Sequence, residues 1–402
     1  MTDPRGASDK SGRTFNNPYQ YFFEQMHMDD AIYADESIYE YPMQQGGGND
    51  GRPYSFGRPS SGGSKAAYPC KSYGQGRINP AYFYGVFDPN DMRRDVSITM
   101  TGSNGKGVEK LIPFVPNSKA EGGGLTLNKW DENRQANPWV AAQRKSGING
   151  PYMRMSEVYL GYAEVCAALG DVVTGKQYLK TVRERSFPQG LANTDAFIAS
   201  FGNDLVRAII EERGFEYAGE GDRRWTLIRS GYLPEDIKRI KDMTKAMMDG
   251  LATKGYYEFE NGNIISAYIW TKLVDAKTIY GHRLTAQCPT DKVNDPVLYP
   301  GWRGQKDNWE GMGLNYGSST PATNLAIKGL FEIVSEEEAA SLESQGYTKV
   351  NWGIDLVDNR DEYDKYLFWD YDYVSAPIYL WPFTPNVMAA GGFTNGYGFK
   401  QE

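Results

Sequence analysis

Histidine is nearly missing from this chain: His27 and His282 are the two in 402 residues. Neither has a metal-ligating neighbour at useful spacing. No His-Glu-x-x-His, Gly-x-Ser-x-Gly or Cys-x-x-Cys pattern occurs, so the common hydrolase, metalloprotease and redox signatures are excluded. Cysteine is scarce too. Cys70, Cys166 and Cys288 are three, so at least one is unpaired; a Cys70–Cys288 bridge is compatible with an oxidising compartment, but the sequence does not establish it. No run is long and apolar enough to span a bilayer. No basic stripe interrupts the net charge of −8, so a nucleic-acid footprint is not expected. A glycosidase needs two carboxylates at a fixed separation. With 51 acidic residues any such pair can be drawn, so that pattern carries no specificity. The default reading is a protein that binds without catalysing and holds no cofactor and no metal. The run Asp88, Asn90, Asp91, Asp95 offers calcium-type oxygens. The adjacent Arg93 and Arg94 favour a helix cap with salt bridges there instead.

Aromatic residues, by contrast, are abundant. They make up 14% of the chain, with 29 Tyr and 9 Trp. Such rings present a flat apolar face with a polar tip, which suits half-wet binding surfaces and also loop-rich cores. Several sit in glycine-rich stretches. Residues 44–63 are rich in Gly, Asn, Pro and Ser, read as an exposed loop, and carry Tyr54 and Phe56. Tyr73 follows in Tyr73-Gly-Gln-Gly. Trp130 precedes the central helix. Trp302 and Trp309 lie in a polar segment punctuated by glycine, where a Trp has little to pack against locally. These six residues are the candidate ligand contacts.

The clearest periodicity lies at 151–170. Met155, Tyr159, Tyr162, Cys166 and Leu169 recur at helical spacing and predict a buried stripe. Pro151 fits a first helical turn, and Gly170 a left-handed stop. Cys166 is expected to be a small core residue. Further amphipathic runs predict helices over 174–185, 203–217 and 234–250. Residues 36–42 alternate and read as a strand stopped by Pro42. Residues 96–114 read as a hairpin around Gly102-Ser-Asn-Gly-Lys-Gly107, which lacks the context of a phosphate loop. Ser335-Glu-Glu-Glu opens a short helix with a capping box. The stretch 255–319 reads as irregular.

The ordered series Arg154, Glu157, Tyr162-Ala-Glu164, Val182-Arg183, Arg185, Glu212-Arg213, Glu216, Gly221, Arg224-Trp225, Leu227 and Arg229 resembles the SusD/RagB family. The strand at 36–42, the closing Leu380-Trp-Pro382 and Asn395-Gly-Tyr-Gly398 resemble other parts of the family pattern. Gly214 stands where a second arginine is usual and Thr226 where an Asp is common, departures expected to weaken a local salt-bridge network. The resemblance implies a fold that is mostly α with irregular loops and small β-hairpins, a SusD-like helical scaffold. No paired-helix pattern appears upstream of Pro151, so this scaffold is expected to lack most of the N-terminal tetratricopeptide-like half. The division expected is a polar tail and short helix over 1–35 and a SusD/RagB-like domain over 36–402, with a loop-rich insert at about 255–335. The resemblance also implies a surface protein of the outer membrane that captures an oligosaccharide or polysaccharide for a SusC-like TonB-dependent transporter. A peptide-capture protein of the RagB type is the alternative, and a secreted hydrolase a weaker one. A signal peptide and lipid-bearing cysteine are implied for the precursor; neither is found in the polar start Met1-Thr-Asp-Pro-Arg-Gly-Ala-Ser.

Overall fold

The computed structural model describes residues 36–44, 76–103, 109–112, 124–130, 146–275, 323–361 and 383–392, with isolated positions including Tyr19, Phe22, Phe23, Phe56, Phe114 and Tyr379. It is mainly helical, with small antiparallel sheets.

The first strand, β1 (Ser37–Tyr41), falls where the alternation at 36–42 predicts it. Next come β2 (Arg77–Ile78), α1 (Pro80–Gly85), α2 (Arg93–Ser97) and β3 (Ile98–Thr99). Asn79 caps α1 by accepting from the Ala81 amide, and Pro80 occupies the first turn where a missing N–H costs nothing. The predicted hairpin forms from β4 (Thr101–Ser103) and β5 (Glu109–Leu111). Strand β6 (Leu125–Leu127) lies between β2 and β3.

Pro151 is not helical. It sits in β7 (Gly150–Arg154), which pairs antiparallel with β1. The helix α3 (Met155–Ala168) starts only after this strand, and α4 (Val172–Glu184) follows after a three-residue link. Local bonding explains so short a link. Gly170, at φ 86°, lets the Asp171 N–H reach Cys166 O (2.8 Å) and its own N–H reach Ala167 O (3.1 Å). That pattern satisfies the orphan carbonyls of α3. The Asp171 carboxylate then accepts from the Thr174 amide (3.1 Å) and opens α4. The two helices touch closely because Gly175 has no side chain: a Cβ there would stand 2.9 Å from Ala163 O.

That close approach decides which face of α3 is inside. Ser156, Leu160, Ala163 and Cys166 are buried, whereas Tyr162 and Leu169 of the expected stripe face solvent. Val158, Tyr162, Val165 and Leu169 form an exposed apolar row. Small residues face the tight helix pair, and the bulky ones point away from it.

Next come α5 (Thr194–Ala199), α6 (Leu205–Glu216), α7 (Asp222–Ser230) and α8 (Leu233–Lys254). Helix α6 is the spine: 11 of its 12 residues are buried. It contacts α3, α4, α5 and α7. Leu160, Leu179, Val182, Ala208 and Ile209 form the core between α3, α4 and α6.

The described part of the stretch after α8, up to Asp275, is more regular than the sequence suggests. Strands β8 (Tyr256–Glu258) and β9 (Ile264–Ser266) form a hairpin. Its Asn261-Gly262 tip, with Gly262 at φ 82°, is a turn signal in its own right. The tip folds inward: Asn261 Nδ2 donates to Tyr84 O (2.8 Å) and Phe87 O (2.7 Å). Strand β10 (Tyr268–Asp275) then lies between β11 (Thr323–Lys328) and β12 (Thr348–Asn351). Helix α9 (Glu336–Ser344) begins with Ser335 Oγ accepting from Glu338 N, as the capping box predicts. Helices α10 (Gly353–Asp358) and α11 (Pro385–Gly391) complete the described elements. The largest core cluster joins α1, α8 and the β10 sheet through Phe83, Tyr84, Met247, Leu251, Ile269 and Trp352. Trp352 Nε1 donates to Tyr84 Oη (2.9 Å), so the buried indole keeps a partner.

Candidate functional site

The β1–β7 pair is a ribbon with aromatic side chains turned outward. Tyr39, Tyr41 and Tyr152 are 57%, 54% and 71% exposed. Tyr39 and Tyr152 meet edge to face, with ring centroids 5.6 Å apart. Such pairs are worth about 0.5–1.5 kcal/mol beyond area burial. The ribbon is joined at its base to a buried network of ion pairs.

That base is a cluster of buried charge at the C-terminal end of α6. Arg154, the last residue of β7, sends Nη1 to Glu216 Oε1 (2.8 Å) and Ser156 Oγ (3.0 Å). Its Nε and Nη2 hold the two oxygens of Glu220 (2.9 and 2.8 Å). Glu36, just before β1, pairs with Arg185 at the end of α4. Arg185 also reaches Glu216 (2.9 Å), and Arg93 reaches Glu212 (2.7 Å), Glu216 (3.2 Å) and Asp91 (2.7 Å). Arg183 takes the other oxygen of Glu212 (2.8 Å), and Lys129 takes Glu220 (2.6 Å). Five cations (Arg93, Lys129, Arg154, Arg183, Arg185) thus face five carboxylates (Glu36, Asp91, Glu212, Glu216, Glu220). The balance matters, because an unpaired charge at such depth is very costly.

The environment shows in the titration of these groups. Burial alone would raise the Glu216 carboxyl; Arg185, Arg154 and Arg93 more than reverse this and hold it well below the usual carboxylate range. Burial lowers Lys129 to about 8, against the pull of Glu220. Its ammonium also sits near the faces of Tyr19 (5.1 Å) and Phe23 (5.0 Å). Tyr19 donates its hydroxyl to Glu216 O, one of the free carbonyls at the end of α6. On the ribbon's far end Asn149 joins the strands, donating to Glu40 Oε2 (2.8 Å) and accepting from Met43 N (2.8 Å).

The two departures from the expected charge pattern are compensated. Arg223 fills the space over Gly214, where a Cβ would stand 2.8 Å from its Nη1. From there it bonds Ile210 O (3.1 Å), Glu211 (3.0 Å) and Asp236 (2.9 Å). Thr226 Oγ1 accepts from Arg213 Nε (3.2 Å) and donates to Asp222 (2.9 Å). The network is rebuilt rather than weakened.

Of the six contacts expected from sequence, Phe56 is exposed. Trp130 is 1% exposed and packs with Tyr19, Phe22, Phe23, Val96 and Ile148, so its ring is core and offers no face to a ligand. Tyr54, Tyr73, Trp302 and Trp309 lie outside the described residues. Only Phe56 and Trp130 of the six can therefore be placed, and the exposed Tyr39, Tyr41 and Tyr152 were not among the contacts expected from sequence. The signal was present: alternation at 36–42 puts Tyr39 and Tyr41 on one side of a strand. Asp88, Asp91 and Asp95 are engaged locally: Asp88 accepts from the Asn90 amide, Asp91 pairs with Arg93, and Asp95 with Arg94. Among the described residues no group of three His, Cys, Asp or Glu could hold a metal ion. No described helix is long and apolar enough to cross a membrane.

Comparison with known proteins places this architecture. The sequence profile of the SusD family matches residues 5–382. SusD-like protein P25 of Formosa agariphila is 28% identical over 160 residues, 40% of this chain and 26% of that protein. A SusD homologue from Bacteroides thetaiotaomicron superposes with a TM-score of 0.42 at 20% identity, over 57% of this chain and 47% of the other. Surface glycan-binding protein A of the same organism, solved with laminarihexaose, gives 0.38 at 17% identity, over 56% of this chain and 48% of the other. The match thus spans about half the length of these solved proteins and about a quarter of the curated one.

Proposed function

The chain belongs to the SusD family, and we propose that it captures an oligosaccharide at the cell surface on the tyrosine ribbon of β1 and β7. The observation that carries this reading is three exposed tyrosines on a strand pair pinned to a buried charge cluster. Sugar C–H faces stack on aromatic rings while the phenol hydroxyls and the Glu40–Asn149 pair meet sugar hydroxyls. Because the ribbon is already fixed, little ordering cost falls on binding. Ring stacking on nucleobases is worth about 1–3 kcal/mol per base, and that magnitude serves here by analogy. Two such contacts give an affinity weak enough for release. Family membership supports the rest of the reading: an outer-membrane surface protein that passes its ligand, unaltered, to a SusC-like TonB-dependent transporter.

The test is calorimetric titration against a panel of neutral and acidic oligosaccharides that includes laminarihexaose. Tyr39→Ala and Tyr152→Ala should each weaken binding by about fivefold to a hundredfold, from the same stacking range. Far-ultraviolet circular dichroism should stay unchanged. Unchanged affinity in both variants, or no binding across the panel, would sink the reading. Product analysis after long incubation should show intact ligand. Co-purification from outer membranes carrying the transporter tests the partner.

A further inference from the structure

A second surface differs from the tyrosine ribbon in charge. Strand β10 is the middle strand of its sheet, and Trp270 lies directly opposite Lys349 of β12 and Lys328 of β11. Residues directly opposite in antiparallel strands share a face. The other face is fixed by Ile269, Leu325 and Ile327, which enter the main core with Val350 packed on it. Trp270, Lys349, Lys328, Tyr268 and Lys272 therefore stand on the outer side. Neighbouring strands are about 4.8 Å apart, so the two lysines flank the indole at a backbone separation of about 10 Å.

Most of the described cations are matched to a carboxylate; these are not. Among the described residues no carboxylate lies within ion-pair distance of Lys272, Lys328 or Lys349, although α9 carries Glu336, Glu337, Glu338 and Glu343 nearby in sequence. Lys349 instead rests over Tyr268 (4.0 Å) and near Trp270 (5.8 Å). Lys272 donates to Gln345 O (2.7 Å) and sits 5.8 Å from the Tyr347 ring. In a chain of net charge −8, three uncompensated ammoniums on one sheet face are a local reversal of sign. Trp270 is buried beneath them, with Ala326 (2% exposed) on the same face. The indole is 5% exposed, and its Nε1–H has no acceptor among the described residues. A buried donor left unmatched calls for an acceptor.

We propose that the outer face of β10, β11 and β12 binds a negatively charged saccharide, its carboxylate or sulfate groups held by Lys349, Lys328 and Lys272 around Trp270 and its apolar face against Tyr268 and Tyr347. The proposal rests on the capture reading only for the saccharide character of the ligand. Lysine suits the role as a point charge on a flexible stem, able to follow anionic groups on successive sugar units. Leaving the face of the half-buried Tyr268 is a small loss beside pairing with an anion.

The experiment titrates the protein with oligogalacturonate, a sulfated galactan oligosaccharide and neutral laminarihexaose at low and at 0.5 M salt. The acidic ligands should bind at least tenfold tighter than the neutral one at low salt and lose that advantage at 0.5 M. The double variant Lys328→Glu/Lys349→Glu should weaken acidic binding at least tenfold while laminarihexaose affinity and the melting temperature stay unchanged. Tyr39→Ala should do the reverse, which separates failure of this proposal from failure of the ribbon reading. Equal affinity for neutral and acidic ligands, or acidic binding untouched by the double variant, overturns it. Competition by inorganic sulfate as effective as the oligosaccharide overturns the saccharide assignment.

Discussion

Replacing Glu216 by glutamine keeps the shape of the side chain and removes one charge from the centre of the molecule. The carboxylate is fully buried and meets Arg154 at 2.8 Å, Arg185 at 2.9 Å and Arg93 at 3.2 Å. Five carboxylates against five cations become four against five, and one guanidinium charge is left without its match. Breaking a buried pair from one side costs about 3–5 kcal/mol. The solvent-exposed Lys238–Asp242 pair on α8 provides the internal standard, with side chains 60% and 63% exposed. Its removal in Lys238→Ala should cost about 0.2–1 kcal/mol. Urea unfolding followed by Trp fluorescence compares the two, the midpoint moving while the slope stays constant. The acid limb gives a second readout. Glu216 is held below its ordinary 4.5, so its stabilising contribution is complete above that pH and is lost as the pH falls beneath it. The glutamine variant should lack that part of the acid slope. A loss below about 1 kcal/mol, no larger than for Lys238→Ala, would mean that the buried charges are screened, and the account of the ribbon's rigidity would fail with it.

Alkaline stability should first rise and then fall. Lys129 titrates at about 8 in the fold against 10.5 when free, so the native state sheds its proton first and stability grows through that window, by about 3 kcal/mol at most. Above pH 10 the buried Tyr84 and Tyr217 and the partly buried Tyr82, all raised by desolvation, reverse the trend, since the unfolded chain ionises more easily. Denaturation at pH 7.5, 9, 10 and 11 checks both limbs, and Lys129→Met should abolish the first. Gly175→Ala drives a methyl to 2.9 Å from Ala163 O and should destabilise by about 1–3 kcal/mol. Gly161→Ala, on the open side of α3 with nothing within 4 Å, should stabilise by roughly 0.5–1 kcal/mol, measured by the same urea titration. Asn261→Ala removes the donor to Tyr84 O and Phe87 O and should cost about 1–3 kcal/mol in that assay.

The helices α3, α4, α6 and α8 were legible because their caps and breakers are local: Asp171, Asp204 and Gly170 mark ends within a turn of the chain. What was not legible follows from packing at a distance. The buried face of α3 is chosen by Gly175 on another helix, so a periodicity count that rewards Tyr162 and Leu169 picks the wrong side. Pro151 reads as a helix start until β1 is present to pair with it. Arg154, Arg183, Arg185, Glu212 and Glu216 of the charge cluster stood out in the family pattern, yet nothing in Arg154 or Glu216 alone says that they are interior. Trp130 shows the converse. A Trp in a polar stretch looks like a platform, but Tyr19, Phe22 and Phe23, more than 100 residues earlier, arrive to cover it.

The charge cluster also bears on how the chain reaches its native state. Its partners are separated by 149 positions for Glu36 and Arg185, 123 for Arg93 and Glu216, and 91 for Lys129 and Glu220. Each long loop must close before its charge finds a counterpart, and a cluster with one segment missing carries a stranded ion in a dry interior. Intermediates containing part of it are therefore poorly populated, and assembly should be slow and concerted. Clipping the backbone anywhere between residues 36 and 220 would leave fragments that hold together only while every strand of this ionic knot remains tied.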